Sequence, residues 1–241
     1  MGFDCKARSG LTVNRPDDAA TKYARHEIAG PIGSMSDMPP FDLFSIGHSN
    51  IPAERFAAML QDTAVTAVAD VRSMPNSRWF PWFSQKALVA QLKGLGIAYA
   101  AMGDTLGGRP RDESLYRGGG ADYEAMANEP EFRAGLDRLQ EIMARSRVCL
   151  MCAEREPLDC HRCLLVARRL AERGLTIGHI LHDGTVEAHA ATEQRLLARE
   201  GDAGDLFATG QDERLAAAYR RRARAVAFRQ KVPQRRAGTE S

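Results

Sequence analysis

The stretch AVTAVADV, residues 64–71, is a nearly continuous run of small and β-branched apolar residues. This composition is typical of a strand that is buried on both faces of a parallel sheet. Four further apolar runs of strand length follow the same pattern, with helical patterns between them. They cover residues 41–46, 97–102, 147–152 and 176–181. The alternation predicts an α/β fold with three layers: a mostly parallel sheet of about five strands with helices on both faces.

Three segments of the chain differ in composition. Residues 1–40 hold four prolines and no sustained periodicity, so we expect a poorly ordered N-terminal leader. Residues 41–200 carry the strand patterns and form the predicted α/β domain. Residues 201–241 form a predicted basic helical extension, in which residues 211–241 hold eight Arg and one Lys against three acidic residues. That segment has a net charge of +6, which leaves −4 for the rest of a chain whose net charge is +2.

The overall composition argues against several classes of protein. Hydrophobic residues make up 44% and charged residues 27%, as in globular proteins and unlike disordered or collagen-like chains. No apolar stretch approaches the roughly 18 residues that cross a bilayer, and no signal peptide is evident. We therefore expect a cytoplasmic protein without membrane contact. Thiols stay reduced in the cytoplasm, so the five cysteines are interpreted as thiols, metal ligands or packing residues.

Polar residues recur where the predicted strands end. They are His48 and Ser49, then Asp70 and Arg72, then Gly107 and Gly108, then Cys152 and Glu154 with Cys160, His161 and Arg162 just beyond, and finally His179 and His182. Parallel strands bring their carboxyl ends to one edge of the sheet, where such folds bind ligands. Strand ends are also simply where polar residues are permitted. We favour a functional site, because residue types capable of chemistry recur at four of the five ends.

Five motifs carry a resemblance to a known family. They are Ser45–Ser49, Ala69–Pro75, Leu106–Gly108, Met151–Glu154 and Cys160–Arg162. In this order the chain, from about Phe41 to Leu197, resembles the bacterial family described as domain of unknown function 488. The resemblance implies an α/β fold with a site that contains cysteine and histidine, and it implies no established activity. Cys149, Cys163, the leader and the basic tail lie outside the family's motifs.

The cysteines allow a metal site. Cys152, Cys160 and His161 could hold one zinc or iron ion with one coordination position open, with Glu154 as acid or base. The pattern CxxC…CxxC, which begins at Cys149, does not indicate a zinc knuckle. Cys149 and Cys152 are three residues apart on a strand and therefore face opposite sides of the sheet. We therefore expect Cys149 to be a buried hydrophobe, and we expect Cys163 to face packing.

A zinc deaminase also carries an x-A-E triplet and a P-C-x-x-C pair, each at the start of its own helix. Here the triplet that contains Glu154 ends a strand, and only a few residues separate it from Cys160. We therefore reject the deaminase interpretation.

A second chemical interpretation needs no metal. Cys160 would be the first residue of a helix capped by Asp159, where the helix N-terminus and Arg162 favour a thiolate nucleophile. Cys152 would be its partner, and Glu154 or His48 would carry protons. The predicted ligand-binding residues are Ser49, Asp70, Arg72, Gly107, Gly108 and Arg162, of which the two arginines would clamp an anion.

The leading hypothesis is that the protein is an enzyme that acts on a small anionic or nucleotide-like ligand. The sequence does not indicate its reaction class. One alternative is a nucleic-acid-associated binding module that uses the basic C-terminal segment and the aromatic residues around Trp79 and Trp82. Another alternative is a metal-binding sensor at Cys152, Cys160 and His161. His179, inside an apolar strand, is expected to be a hydrogen-bonded core residue rather than a catalytic one.

Overall fold

A computed structural model describes residues 41–200 and 210–230 of the chain. The predicted leader and the remaining parts of the predicted extension lie outside the described residues. The described strands are β1 (Leu43–Gly47), β2 (Ala67–Asp70), β3 (Ala98–Ala101), β4 (Tyr116–Arg117), β5 (Gly120–Ala121), β6 (Val148–Cys152), β7 (Ile177–Ile180) and β8 (Val186–Ala188). The described α-helices are α1 (Ala53–Asp62), α2 (Gln85–Gly94), α3 (Gly103–Leu106), α4 (Tyr123–Asn128), α5 (Pro130–Met143), α6 (Arg168–Ala171), α7 (His189–Glu200) and α8 (Gln211–Val226).

Six of the strands form one sheet in the order β3-β2-β6-β1-β7-β8, and β4 and β5 form a separate hairpin. The first five strands of the sheet are parallel, whereas β8 pairs antiparallel with β7. The predicted fold class is therefore confirmed. The sequence predicts only five strands, because β8 is three residues long and half-buried, which is too short to show a periodic apolar pattern.

The side chains of β6 alternate between two apolar layers. Cys149 and Met151 pack in the core formed with α1 and α2. Leu150 and Cys152 pack in the core formed with the helices of the opposite face. The expectation that Cys149 and Cys152 face opposite sides is confirmed, and helices cover both faces as predicted.

The segment after β6 contains a π-helix, Arg162–Ala167, that leads into α6, and all six of its residues are buried. In α8, the residues Ala217, Ala218 and Tyr219 are buried, and the last two belong to the opposite-face core. None of the helices in the described ranges is both long and apolar enough to cross a lipid bilayer.

Candidate metal centre

Three strand ends meet at the carboxyl edge of the sheet. Gly47 of β1 is in register with Cys152 of β6, and Asp70 of β2 is in register with Met151 of β6. The pairing continues past β1, because the His48 N–H donates to the Cys152 carbonyl over 2.9 Å. The edge therefore brings together the ends of β1, β2 and β6, which is where parallel sheets bind ligands.

Four ligand atoms converge just beyond the end of β6. The sulfurs of Cys152 and Cys160 lie 2.9 and 3.0 Å from Oε2 of Glu154. The same sulfurs lie 3.7 and 3.9 Å from Nδ1 of His161. These four atoms all lie within 4.8 Å of one another. We call the four residues the open cluster, because Cys152, Glu154 and His161 also line a pocket.

Cys160 reaches the open cluster from the start of a helix. Its backbone is extended, with φ −136° and ψ 139°, and the Arg162 N–H donates to its sulfur over 3.4 Å. Cys160 is thus the cap itself, since a cap has non-helical backbone. The prediction that Asp159 caps this helix is wrong, because Asp159 ends the preceding 3₁₀ turn. The Asp159 carboxylate instead accepts hydrogen bonds from Arg199 and Arg222.

His161 presents one ring nitrogen to the two sulfurs. Its Nε2 lies 2.9 Å from the Val71 carbonyl. A carbonyl oxygen only accepts, so Nε2 carries a hydrogen and Nδ1 faces the sulfurs. A metal-binding histidine is usually supported by such a bond on its second nitrogen. Gly108 makes room for the ring, because a Cβ at Gly108 would lie 2.7 Å from Cγ of His161.

Arg162 is completely buried beside the open cluster. Its guanidinium donates to the carbonyls of Glu154 and Arg155 over 2.5 and 3.1 Å. Gly47 permits this approach, because a Cβ there would lie 2.9 Å from Arg162 Nη1. The predicted role of Arg162 as an anion clamp is corrected, since the side chain has no exposed surface with which to contact a ligand. Arg162 instead holds the backbone around Glu154 and places a positive charge beside Cys160.

The charges of the open cluster depend on one another. Burial opposes ionisation of Cys160, but the hydrogen bond with Cys152 and the charges of Arg162 and His161 lower its thiol pKa well below the usual value. Burial and the neighbouring Cys160 raise the pKa of Cys152 and of Glu154. Burial opposes protonation of His161, but the bond to Cys160 and its charge raise the imidazole pKa. An ion-free cluster therefore favours a Cys160 thiolate beside a His161 imidazolium.

A pocket of about 280 Å³ opens over the cluster. Besides the cluster residues and Gly108, its lining includes the cations Arg72 and Arg109 and the rings of Tyr123 and Phe228. The Arg109 guanidinium lies 4.4 Å from the centroid of the Phe228 ring. The sequence gives one signal for Arg109, which directly follows Gly108. It gives none for Tyr123 and Phe228, which come from α4 and from the segment after α8.

Arg72 enters the pocket lining in a fixed orientation. Its Nε and Nη2 donate to the Asp70 carboxylate over 2.9 and 2.6 Å. Its Nη1 donates to the Phe83 carbonyl over 2.8 Å and lies 3.2 Å from Nε2 of His48. Asp70 neutralises the charge of the guanidinium. The contacts with Asp70, Phe83 and His48 leave one N–H of Nη2 available for a ligand.

His48 supports Arg72 and does not line the pocket. Its ring stacks on Phe83 with 4.2 Å between centroids. Its Nδ1 lies 3.0 Å from the Ser49 carbonyl, so Nδ1 donates and Nε2 accepts from Arg72. Burial and the positive charge of Arg72 lower the His48 pKa to about 4. In this geometry His48 positions Arg72, and its role as a proton carrier stays a prediction.

Three predicted ligand-binding residues also lie outside the pocket lining. Asp70 is buried and accepts the Tyr99 hydroxyl in addition to Arg72. Gly107 is needed for packing, because a Cβ would lie 2.2 Å from the Gly103 carbonyl oxygen. Ser49 occupies the turn after β1 with a left-handed φ of 42°. These residues shape the edge of the sheet rather than the surface that a ligand would contact.

A second group of metal-binding residue types surrounds Cys163, three residues after Cys160. The Cys163 sulfur lies 3.9 Å from Nε2 of His179, which lies 2.9 Å from Nδ1 of His189. All three side chains are buried. We call them the closed cluster. Cys163 and His179 are buried, as the sequence predicts, but they lie against each other rather than against apolar side chains alone.

The fold and the open cluster together define an α/β protein with a candidate metal centre at the carboxyl edge of its sheet. Residues 52–169 match the model of the family described as "Domain of unknown function DUF488". The match confirms the resemblance to this family. It includes four of the five motifs and begins after the one around His48. No curated protein and no solved structure matches the chain.

Proposed function

We propose that the protein is a metal-dependent enzyme that hydrolyses a small anionic substrate. Cys152, Cys160 and His161 would bind one zinc ion, with the fourth position open to the pocket and Glu154 beside it. The observation that carries the proposal is the convergence of four ligand atoms within 4.8 Å of one another. Three protein ligands of the Cys₂His type plus one exchangeable position are typical of catalytic zinc.

The burial of Cys160 favours metal binding over nucleophilic attack by its thiolate. Cys160 is only 1% exposed and is not part of the pocket lining. Its sulfur faces Cys152 and Glu154 rather than the pocket. A nucleophile must approach the atom that it attacks, which Cys160 in this position does not. The lowered pKa of the Cys160 thiol equally suits a metal ligand, because only the thiolate binds the ion.

The buried charges also balance when a divalent ion is present. Two thiolates neutralise a divalent ion, and the Glu154 carboxylate beside the ion offsets the positive charge of the buried Arg162. An isolated buried charge is costly, so this neutrality supports a divalent ion. Sulfur and nitrogen ligands suit zinc or iron, and we favour zinc because a tetrahedral set of this kind is its usual environment.

The chain's own groups would supply the other functions of the enzyme. A bound zinc ion would act as a Lewis acid and lower the pKa of water. Glu154, an exposed residue that lines the pocket, would accept the proton of that water. Arg109 would bind the anionic group of the substrate, because no acidic partner faces it among the described residues. Arg72 would add the single N–H left free by its contacts with Asp70 and Phe83.

Metal analysis and a chromogenic substrate test this proposal on the full chain. We expect one zinc per chain after dialysis and hydrolysis of p-nitrophenyl phosphate that chelation abolishes and zinc restores. Inorganic phosphate should inhibit this reaction. Arg109→Gln should weaken the inhibition about tenfold or more, since it removes a charge-assisted bond, and should leave the zinc content unchanged. Absence of zinc after zinc supplementation and dialysis would overturn the proposal.

A second candidate, a nucleic-acid-binding module, is favoured by Trp79, which is 80% exposed. An exposed aromatic ring can stack on an unpaired base. The basic helix α8 supports this candidate less than its charge suggests, because Arg222 is tied to Asp159 and to the Leu158 carbonyl. Salt-dependent retention of single-stranded DNA on a filter, lost in Trp79→Ala, is the expected result for this candidate. Equal retention by Trp79→Ala would exclude the stacking role.

A further inference from the structure

The outer ring nitrogens of the two histidines in the closed cluster have hydrogen-bond partners. Nδ1 of His179 lies 2.6 Å from the Ser45 hydroxyl, and Nε2 of His189 lies 3.1 Å from the Tyr219 hydroxyl. The Tyr219 hydroxyl donates a hydrogen bond to the Glu193 carboxylate over 2.9 Å. The Tyr219 oxygen is therefore an acceptor toward His189, so Nε2 of His189 carries a hydrogen.

The consequence is that the bare nitrogen of His189 points inward. With its hydrogen on Nε2, Nδ1 of His189 accepts the Nε2 hydrogen of His179 over 2.9 Å in the ion-free protein. An ion would take the place of that hydrogen, and the His179 hydrogen would then lie on Nδ1 and be donated to the Ser45 hydroxyl. The Cys163 sulfur lies within 4.8 Å of both nitrogens. Metal–ligand bonds of about 2.0–2.3 Å allow atoms spaced this way to share one ion. A metal-binding histidine usually has a hydrogen bond on its other ring nitrogen, and here hydroxyl groups provide that bond.

We propose that the closed cluster is a second metal site, which binds one Cu(I) ion through Cys163, His179 and His189. The kind of ligand favours this ion, because the described residues of the group supply three soft or borderline donors and no carboxylate. Thiolate and imidazole ligands suit copper. The charge favours it too. Cu(I) and one thiolate are neutral together, whereas a divalent ion would leave a net positive charge buried near Arg162.

The site would fasten separate parts of the fold to one another. Ser45 belongs to β1, His179 to β7, His189 to α7 and Tyr219 to α8. Cys163 belongs to the π-helix that also leads from the open cluster. An ion at this point would therefore join the sheet to the two last described helices, independently of any ion in the open cluster.

Copper titration of a variant without the other available thiols tests the proposal. The full chain carrying Cys5→Ser, Cys152→Ser and Cys160→Ser is titrated with Cu(I) in competition with bathocuproine disulfonate. We expect one Cu(I) per chain. Adding Cys163→Ser should reduce the bound copper to none, whereas adding Cys149→Ser, a buried cysteine on the other face, should leave one equivalent. Because the open cluster is absent from these variants, the result is independent of the proposed function.

X-ray absorption at the copper edge keeps the test decisive if Cys163→Ser does not fold. In the triple variant we expect one sulfur and two nitrogen neighbours around the copper. Binding of zinc but not copper, or a copper environment without one sulfur and two nitrogens, would overturn the proposal. Absence of any bound metal would overturn it as well and would leave the group as a hydrogen-bonded core.

Discussion

The helix that begins at Cys160 supplies residues to both the open and the closed cluster. Cys160 and His161 begin that helix and face the open cluster, whereas Cys163, one turn later, faces the closed cluster. All six residues of the π-helix are buried. Residues that are close in sequence can therefore face different interior sites. Arg162 lies between them and is completely buried.

The two clusters differ in access and in how their polar atoms are satisfied. The open cluster includes an exposed carboxylate, Glu154, and lines a pocket. The closed cluster is sealed, and hydroxyl groups of Ser45 and Tyr219 satisfy its outer nitrogens. Ligand type would therefore not distinguish the proposed catalytic site from the proposed structural one. Solvent access to the remaining coordination position of a bound ion would distinguish them.

Exchange of single cysteines should give the largest effect. Cys160→Ser should lower the zinc affinity by more than about a hundredfold and abolish hydrolysis, since even supporting residues of a metal site are worth about 10–100-fold. Cys163→Ser should retain one zinc per chain and most of the activity. Equilibrium dialysis with zinc measures the affinity. Equal loss of zinc in both variants would show that the two clusters are not separate sites.

A methyl group behind His161 should give the next largest effect. Gly108→Ala places a Cβ 2.7 Å from the ring, so the imidazole must shift and zinc affinity should fall about 10–100-fold. The matched control is Gly94→Ala, where a Cβ meets nothing within 4 Å. We expect that control to keep full zinc affinity in the same dialysis assay. Unchanged affinity in Gly108→Ala would contradict the assigned orientation of His161.

Protonation of His48, a buried histidine outside both clusters, should account for part of the loss of stability in acid. The folded-state pKa of His48 is about 4, below the usual 6.5. The unfolded chain therefore binds the proton more readily, and stability is lost as pH falls from about 6.5 toward 4. This group should account for about 2–3 kcal/mol of the loss between pH 7 and 4.5. His48→Gln can still accept from Arg72 and does not titrate.

Urea unfolding of the metal-free protein at both pH values measures that difference. The loss of unfolding free energy on acidification should be smaller in His48→Gln than in the unmodified chain by the same amount. Identical losses in the two proteins would show that His48 is not held neutral against Arg72.

Removal of one hydroxyl from the closed cluster should give the smallest effect. Tyr219→Phe deletes the hydrogen bonds to His189 and Glu193 but keeps the buried ring. The free energy of unfolding of the metal-free protein should fall by about 1 kcal/mol, the usual value for such bonds. Hydrolysis and zinc content should not change. A loss of zinc in this variant would mean that the closed cluster supports the open one.

The sequence determines the fold class and the edge of the sheet where ligand atoms gather. Apolar runs of strand length separated by helical patterns allow few other architectures, and parallel pairing then places the strand ends together. The facing of Cys149 away from Cys152 also follows from the sequence, because a strand alternates its side chains every residue.

Only the tertiary structure decides which of those side chains meet. His161 is oriented by the Val71 carbonyl, which is 90 residues away in the chain. The pocket wall includes Phe228, and the closed cluster joins Cys163 to His189. Arg162 is held in the interior by hydrogen bonds to backbone carbonyls. Such contacts depend on how separate elements pack, and neither periodicity nor spacing in the sequence carries that information.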